Sequence, residues 1–533
     1  MKYNYLFLLL LLSSAMFAQE EDAWVYFNAK PNAQTYLNTP LQILTQRSLD
    51  RRTNQNIALS ITDAPIEKTY VSQVKLSTGI TIMAQSKWLN ALHIRGTQAN
   101  INALKNLAFV DKVVFADKTL NTTSKKVQSN KRAQTKDKLK TAINYAYGTS
   151  ANQIQMLNGQ VLHQQNYTGS GKVIAVLDAG FPGVDTAQPF QNLISNNRIL
   201  GGYDFVSRNE NFYTGDDHGT MVLSTMGGYK ENALVGTAPD ASYYLFITEN
   251  DASENPVEES LWVEAAEKAD SLGVDIITTS LGYFEFDNVN YSHTYSDMNG
   301  TTNFISRGAE MAFNKGIIVV ASAGNEGNTA EPHIGGPADA ASVITVGSVT
   351  ASKVRSSFSS VGPSFDNRIK PDVMAQGTAA VVSDTSGSIV TINGTSFSCP
   401  IMAGMIACLW QAFPSKTNQE IRQMLLESSD RYSAPTNTYG YGIPNFGTTL
   451  GVENFEIPVF SVYPNPVKTT VSFSFPDQST ASVAIYSVLG QKVIEKQITN
   501  QNPILSLQSL KSGLYFYVFD AEGIHKTGKI IKQ

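Results

Sequence analysis

The sequence predicts an α/β protein: a parallel sheet with helices on both faces, preceded by a small α+β unit and followed by a small β-sandwich. Three observations predict it. Between about residues 143 and 450, apolar runs such as VIAVLDAG, YYLFI, VDIITTSLG, GIIVVASAGN and SVITVGSV alternate with amphipathic stretches such as VEESLWVEAAEKADSLG and ISRGAEMAFNKG. Strands that are apolar throughout and separated by helices belong to a sheet covered on both sides. Residues 121–142, NTTSKKVQSNKRAQTKDKLKTA, are polar and lysine-rich with no apolar face, and read as an exposed linker. From about residue 457, short alternating runs (VSFSF, SVAIYSV, GLYFYVFD) with Gly and Asn turns read as a separate sandwich.

Taken in order, the chain begins with Lys2, an apolar run from Leu6 to Leu12 and small residues at Ala15 and Ala18, so residues 1–18 read as an export signal. A membrane-spanning helix needs about 20 apolar residues, and no run in the chain reaches that length, so no transmembrane anchor is expected. Residues 19–120 alternate strand-like runs with one helical pattern, TQANINALKNLAFV, in which Ile101, Leu104, Leu107 and Val110 predict a helix over 97–110. With 533 residues, and about 150 per domain as a guide, two to four domains are expected. The formal charge of −5 offers no basic block beyond the linker, so a nucleic-acid partner is not supported. Cys399 and Cys408 are the only cysteines; nine residues apart on one helix, they lie about 13 Å from each other and cannot pair. They read as small apolar side chains.

The stretch NGTSFSCPIMAGMIACLW, residues 393–410, sets Ser396 at the mouth of an apolar helix, where a hydroxyl either caps the helix or attacks a substrate. Ligands of an open parallel sheet gather at the carboxyl ends of its strands. Asp178 closes the apolar run of KVIAVLDAG and Asn325 follows the apolar run of GIIVVASAGNEG, while His218 stands in GDDHGTMV just where another helix starts. Alone, each has a plain structural reading as a cap, a turn former or a surface histidine. Together with Ser396 they supply a nucleophile, a base, a carboxylate to orient the base and an amide donor for an oxyanion, the parts of acyl transfer. Other motifs fail on context. TGSGKV precedes its strand and lacks the Ser or Thr of a phosphate loop, no GxSxG stands at Ser396, and no HExxH occurs.

With AVLDAG, HGT and NGTSFSCP in that order, residues 145–450 resemble the subtilisin-like serine peptidases, which use the chain order Asp, His, Ser. The resemblance implies a subtilisin-like fold and a secreted serine endopeptidase acting on proteins or peptides, with Asp178, His218 and Ser396 as its triad. It assigns Asn325 to the oxyanion hole and the strand ending Ser280, Leu281, Gly282 to the substrate backbone. The implied chemistry needs no cofactor, and calcium is left unassigned because no DxDxDG loop is present. Residues 19–120 resemble the family's pro-regions, with 121–142 as the processing linker and 143–450 as the catalytic domain. Residues 457–533, from VYPNPVKTTVSFSF to LKSGLYFYVFDAEGIHKTGKIIKQ, resemble the C-terminal sorting domain of type IX secretion cargo. That implies export through the periplasm to the medium or cell surface, with the type IX machinery as a partner. An inactive peptidase-like binding protein or a surface adhesin is the alternative reading. The chain departs from the family pattern at Ala179, where Ser or Thr is usual, at Met221, and at Ala375-Gln376.

Overall fold

The structure, a computed structural model, describes residues 19–121, 145–450, 461–475, 480–499, 503–521 and 524–533. The expected export signal and all but Asn121 of the expected linker lie outside the described residues. The first unit is a four-stranded antiparallel sheet, β1 (Glu20–Phe27), β2 (Ile80–Ser86), β3 (Ala91–Thr97) and β4 (Val110–Phe115), in the order β2-β3-β1-β4. Helices α1 (Gln46–Asn54), α2 (Lys68–Lys75) and α3 (Gln98–Ala103) accompany it. The helix expected over 97–110 is therefore corrected. It ends at Ala103, a 3-10 turn follows to Asn106, and Val110 opens β4. The Leu107 and Val110 N–H groups close tight turns on the carbonyls of Leu104 and Leu107, and β-branched Val110 and Val113 pair with β1 instead of continuing the helix.

Seven parallel strands form the central sheet: β5 (Val173–Asp178), β6 (Ile199–Asp204), β7 (Ser242–Ile247), β8 (Ile276–Thr279), β9 (Ile318–Ser322), β10 (Ile344–Val349) and β11 (Val373–Gln376), in the order β11-β10-β9-β8-β5-β7-β6. The five quoted apolar runs are β5, β7, β8, β9 and β10; β6 and β11 were not among them. Alternation along β5 sorts the core into two layers. Ile174 and Val176 join a cluster with α4 (His218–Gly227) on one face, while Ala175 and Leu177 join another with α5 (Val257–Leu272) and α6 (Phe304–Asn314) on the other. Helix α7 (Thr395–Ala412) lies with α4, buried at every position but Gln411. Helix α5 carries Glu258 and Glu259 in its first turn, where the helix dipole favours negative charge, and ends at Gly273 with φ 82°. Both cysteines are buried on α7 as free thiols.

The C-terminal unit consists of a three-stranded and a four-stranded antiparallel sheet enclosing Val471, Phe473, Val483, Ile485, Phe519 and Ile530. Among the described residues, no helix is long and apolar enough to cross a membrane.

The N-terminal sheet is buried on both faces. Val25, Leu92 and Ile94 point into its own core, whereas Trp24, Tyr26 and Trp88 enter the core layer of α5 and α6. Trp24 stacks on Phe304 with ring centroids 5.3 Å apart, and its indole N–H donates to Ser260 at 2.8 Å. Around this contact runs a charged seam. Asp270 of α5 takes Arg51 and Arg52 of α1, Arg52 also meets Asp63 at 2.9 Å, and Lys315 meets Asp63 at 2.8 Å, all with almost no solvent exposure. Glu267 of α5 accepts from Ser86 Oγ at 2.6 Å and from the N–H groups of Lys87 and Trp88. Burial pushes its carboxyl up to about 7, against the pull of the Lys87 charge and these donors. The docked state therefore holds a proton that an exposed carboxylate releases near pH 4.5. That contribution to stability is complete below about 4.5 and lost as pH rises through about 7. Thermal unfolding of the full-length chain is expected to show a fall in Tm between pH 5 and pH 7.5 that is smaller in Glu267→Gln; identical falls in the two proteins would refute this.

Candidate active site

Three neighbouring strands of the central sheet deliver the residues that the sequence singled out. Asp178 ends β5, Ser280 follows β8, and Asn325 follows β9 by three residues. Asp178 is fully buried. Its Oδ1 accepts from His218 Nδ1 at 2.8 Å and from the Ala179 N–H at 2.9 Å, while Oδ2 is buried without a partner among the described residues. A Ser or Thr at 179 would bring a hydroxyl to this carboxylate, and Ala179 has none. His218 is the first residue of α4, fixed by its N–H to Asp216 Oδ1 at 2.9 Å, and its ring packs near Phe397. With Nδ1 donating to a carboxylate, the tautomer assigned by this contact leaves Nε2 as a lone-pair acceptor.

Burial alone would lower the His218 pKa. The charge and hydrogen bond of Asp178 and the charges of Asp216 and Asp217 outweigh it, and the imidazole is held above its usual 6.5.

Ser396 is the second residue of α7 and is nearly buried. Its hydroxyl donates to the Ser280 carbonyl over a long 3.4 Å and makes no hydrogen bond to His218. A shorter bond runs the other way, from Ser280 Oγ to the Ser396 carbonyl at 2.7 Å. Pro400, four residues on, explains it. Proline has no N–H, so the Ser396 carbonyl lacks its helical donor, and Ser280 supplies one. The GTSFSCP pattern thus ties the start of α7 to the end of β8. Asn325 is tied to the same point, its Oδ1 accepting from the N–H and the hydroxyl of Thr395, both at 3.0 Å. Its Nδ2 keeps both protons unengaged by any described residue.

Ser280, Leu281 and Gly282 lie beside these groups, but the hydrogen-bonded strand stops at Thr279, so they follow β8 and are not its last residues. Leu281 is half-buried and Gly282 exposed, and a Cβ on Gly282 would meet nothing within 4 Å. One cleft of about 530 Å³ is lined by Ser396, Asn325 and Ser280–Gly282. Sequence reasoning missed Thr395, which orients Asn325, and the role of Asp216 and Asp217, although GDDHGT was in view. Among the described residues, no group of three or more His, Cys, Asp or Glu side chains is placed to hold a metal ion.

Over residues 169–442 the chain matches the Subtilase family, Peptidase S8. The chain belongs to the subtilase family. A Peptidase S8 propeptide domain of Bacteroidota matches residues 22–135 of this subtilase, and a secretion system C-terminal sorting domain matches residues 461–533. Subtilisin NAT of Bacillus subtilis subsp. natto is 32% identical over 295 residues, covering 55% of this chain and 69% of its own. Subtilisin of Bacillus pumilus is 31% identical over 295 residues, covering 55% and 95%. A crystal structure of MycP1 with the N-terminal propeptide removed is 22% identical over 58% of this chain and 98% of its own, with a TM-score of 0.44. The subtilase is accordingly a subtilisin-like serine endopeptidase, with a pro-segment and a sorting domain.

Where the family tends to have Ala-Pro, this subtilase has Ala375-Gln376. The Gln376 side chain accepts from Asn152 at 2.7 Å and donates to the carbonyls of Thr378 and Ala379, so it closes the loop by hydrogen bonds in place of a proline ring. Cys399 donates weakly to the Thr279 carbonyl at 3.5 Å, and burial pushes its thiol up to about 12, which keeps it protonated beside the site. The two extra carboxylates before His218 make a direct test. Ring-proton NMR is expected to show His218 titrating above 6.5, and Asp217→Asn is expected to bring that titration to lower pH; an unchanged or raised titration would contradict the charge argument.

Proposed function

We propose that this subtilase hydrolyses peptide bonds of protein substrates with Ser396 as nucleophile, His218 as general base and acid, Asp178 as the carboxylate that orients and stabilises His218, and Asn325 as an oxyanion donor. The observation that carries the reading is the 2.8 Å pairing of His218 Nδ1 with Asp178, which leaves Nε2 free while Ser396 and Asn325 share one cleft through Thr395. The Ser396 hydroxyl leaves its long bond to Ser280 by rotation about one side-chain torsion, so little is lost in turning it to the imidazole. A substrate main chain lies along Ser280–Gly282, where backbone pairing supplies affinity.

The oxygen of Ser396 bonds to the scissile carbonyl carbon as its proton passes to His218 Nε2, and the carbonyl electron pair moves onto oxygen. The resulting anion accepts from Asn325 Nδ2 and from the Ser396 N–H, at the N-terminal end of α7 where the helix dipole favours negative charge. Collapse breaks the carbon–nitrogen bond, His218 returns the proton to the departing amine, and the acyl group stays on Ser396. Water then attacks the acyl carbon as its proton passes to His218, the bond from that carbon to the Ser396 oxygen breaks, His218 returns the proton to Ser396, and the acid product leaves.

Residues 19–120 act in this reading as a pro-segment that is cut away within 121–142, and residues 457–533 are an address for the type IX machinery that carries the protein from the periplasm to the surface or medium. The matches to a propeptide domain and a sorting domain support both roles. Ser396→Ala is expected to abolish hydrolysis. Asn325→Ala is expected to lower kcat by roughly 10²–10³-fold with KM little changed, the loss known for the equivalent amide in subtilisin and carried over as it stands. Full turnover in Ser396→Ala, or an Asn325→Ala variant altered only in KM, contradicts the assignment. Removing 457–533 is expected to leave hydrolysis by the purified enzyme intact while the protein accumulates in the periplasm of its native host. Normal surface or medium levels without the tail would overturn the export role.

A further inference from the structure

The cleft beside Ser396 has a character that the reaction itself does not require. It opens from Ser396 and Asn325 between Ser280–Gly282 on one side and Ser322–Gly324 on the other. A peptide whose carbonyl is held between Ser396 and Asn325, with its main chain along Ser280–Gly282 as proposed above, has this space open beside it. Four of the lining residues are glutamates, Glu254, Glu285, Glu326 and Glu331, and no Lys or Arg lines it. Glu326 is engaged by the Ser360 hydroxyl at 2.8 Å, and Glu331 faces His333 at 3.6 Å, the one cationisable group in the wall. Glu254 and Glu285 are exposed and have no ion-pair partner among the described residues. The Glu254 carboxyl is held above its usual value by desolvation of its inner side first and by the neighbouring Asp287 second.

We infer that this cleft receives a cationic side chain, so that cleavage falls after Lys or Arg, with Glu254, Glu285 and Glu331 setting the preference. The inference rests on the peptidase reading above, and concerns only what the enzyme selects. Clefts lined by one sign of charge raise the local concentration of oppositely charged groups, and a guanidinium or ammonium inserted among these carboxylates relieves their mutual repulsion. An apolar side chain gains nothing from them, and an acidic one is repelled.

The chain's own sequence supplies a substrate of this chemistry. Residues 121–142, between the pro-segment and the catalytic domain, contain Lys125, Lys126, Lys131, Arg132, Lys136, Lys138 and Lys140 against a single carboxylate, Asp137. A net charge of −5 over the whole chain makes this basic run the exception. The same selectivity thus serves release of the pro-segment and cleavage of other proteins.

The test uses the processed enzyme and fluorogenic peptides that differ only in the residue supplying the scissile carbonyl: Lys, Arg, Leu, Phe or Glu. The kcat/KM for Lys and Arg is expected to exceed that for Leu and Phe tenfold or more, with the advantage shrinking as salt is raised, since the carboxylates are largely solvent-exposed. In Glu254→Gln/Glu285→Gln/Glu331→Gln the Lys-to-Leu ratio is expected to fall tenfold or more. Sequencing the mature N-terminus is expected to place the cut after a Lys or Arg of 121–142. A wild-type preference for Leu or Phe, or a ratio unmoved in the triple variant, overturns the inference. Hydrolysis that survives Ser396→Ala would count instead against the catalytic assignment, and the Lys-to-Leu ratio would still report on the cleft.

Discussion

The candidate active site depends on one constraint, that α7 is apolar nearly all round and must be enclosed. A helix of this kind is stable only when other elements cover every side, and here four strands of the sheet and α4 do so. Enclosure removes the helix's freedom to slide or turn, since close-packed interiors yield in steps and not continuously. Ser396 at its open end is thereby held in place. Two short links then register the neighbouring strands against that end: Thr395 to Asn325, and Ser280 to the carbonyl that Pro400 leaves without a donor. The proline that would weaken most helices thus joins this one to the sheet, and it does so at Ser396, the proposed nucleophile.

The fold was legible where periodicity was strong. Five of the seven central strands are short, predominantly apolar runs (VIAVLD, SYYLFI, IITT, IVVAS, ITVGSV), and α6 carries a clear amphipathic pattern. Strand β6 escaped because Gly201 and Gly202 sit in its middle at the sheet edge, where half-burial gives no apolar run. Strand β11, VMAQ, is as short as β8 but carries a single β-branched residue, so it offers no strand-like run. The helix expected through Val110 failed because Leu104, Leu107 and Val110 satisfy a helical spacing while lying on a turn and a strand that face the same core. Of the site, Asp178, His218, Ser396 and Asn325, the four groups of the proposed reaction, stood out because each lies in a short motif at a strand or helix end. The glutamates of the cleft could not, since they are spread from Glu254 to Glu331 across separate loops, and only folding brings them into one wall.

The junction between the N-terminal sheet and α5–α6 was equally invisible to pattern reading, because its key residues are charged. Arg51, Arg52, Asp63, Asp270 and Lys315 would each be placed on the surface by composition alone. Two of them, Asp270 and Lys315, belong to the catalytic domain, and three to the segment that covers it. Burying charges costs about as much as their attraction returns, so the seam adds little to affinity, whereas leaving one charge buried without its partner costs about 3–5 kcal/mol.

That asymmetry makes the seam a check on alignment. An apolar contact such as Trp24 on Phe304 tolerates small displacements of one surface over another, but a shift of a single helical turn in α1 would carry Arg51 and Arg52 away from Asp270 and strand charges on both sides. Only one placement of the covering sheet satisfies all five groups at once. A misaligned arrangement is therefore rejected by its own uncompensated ions while the chain is still folding, and the correct one is distinguished less by how tightly it holds than by how badly every neighbour of it would fit.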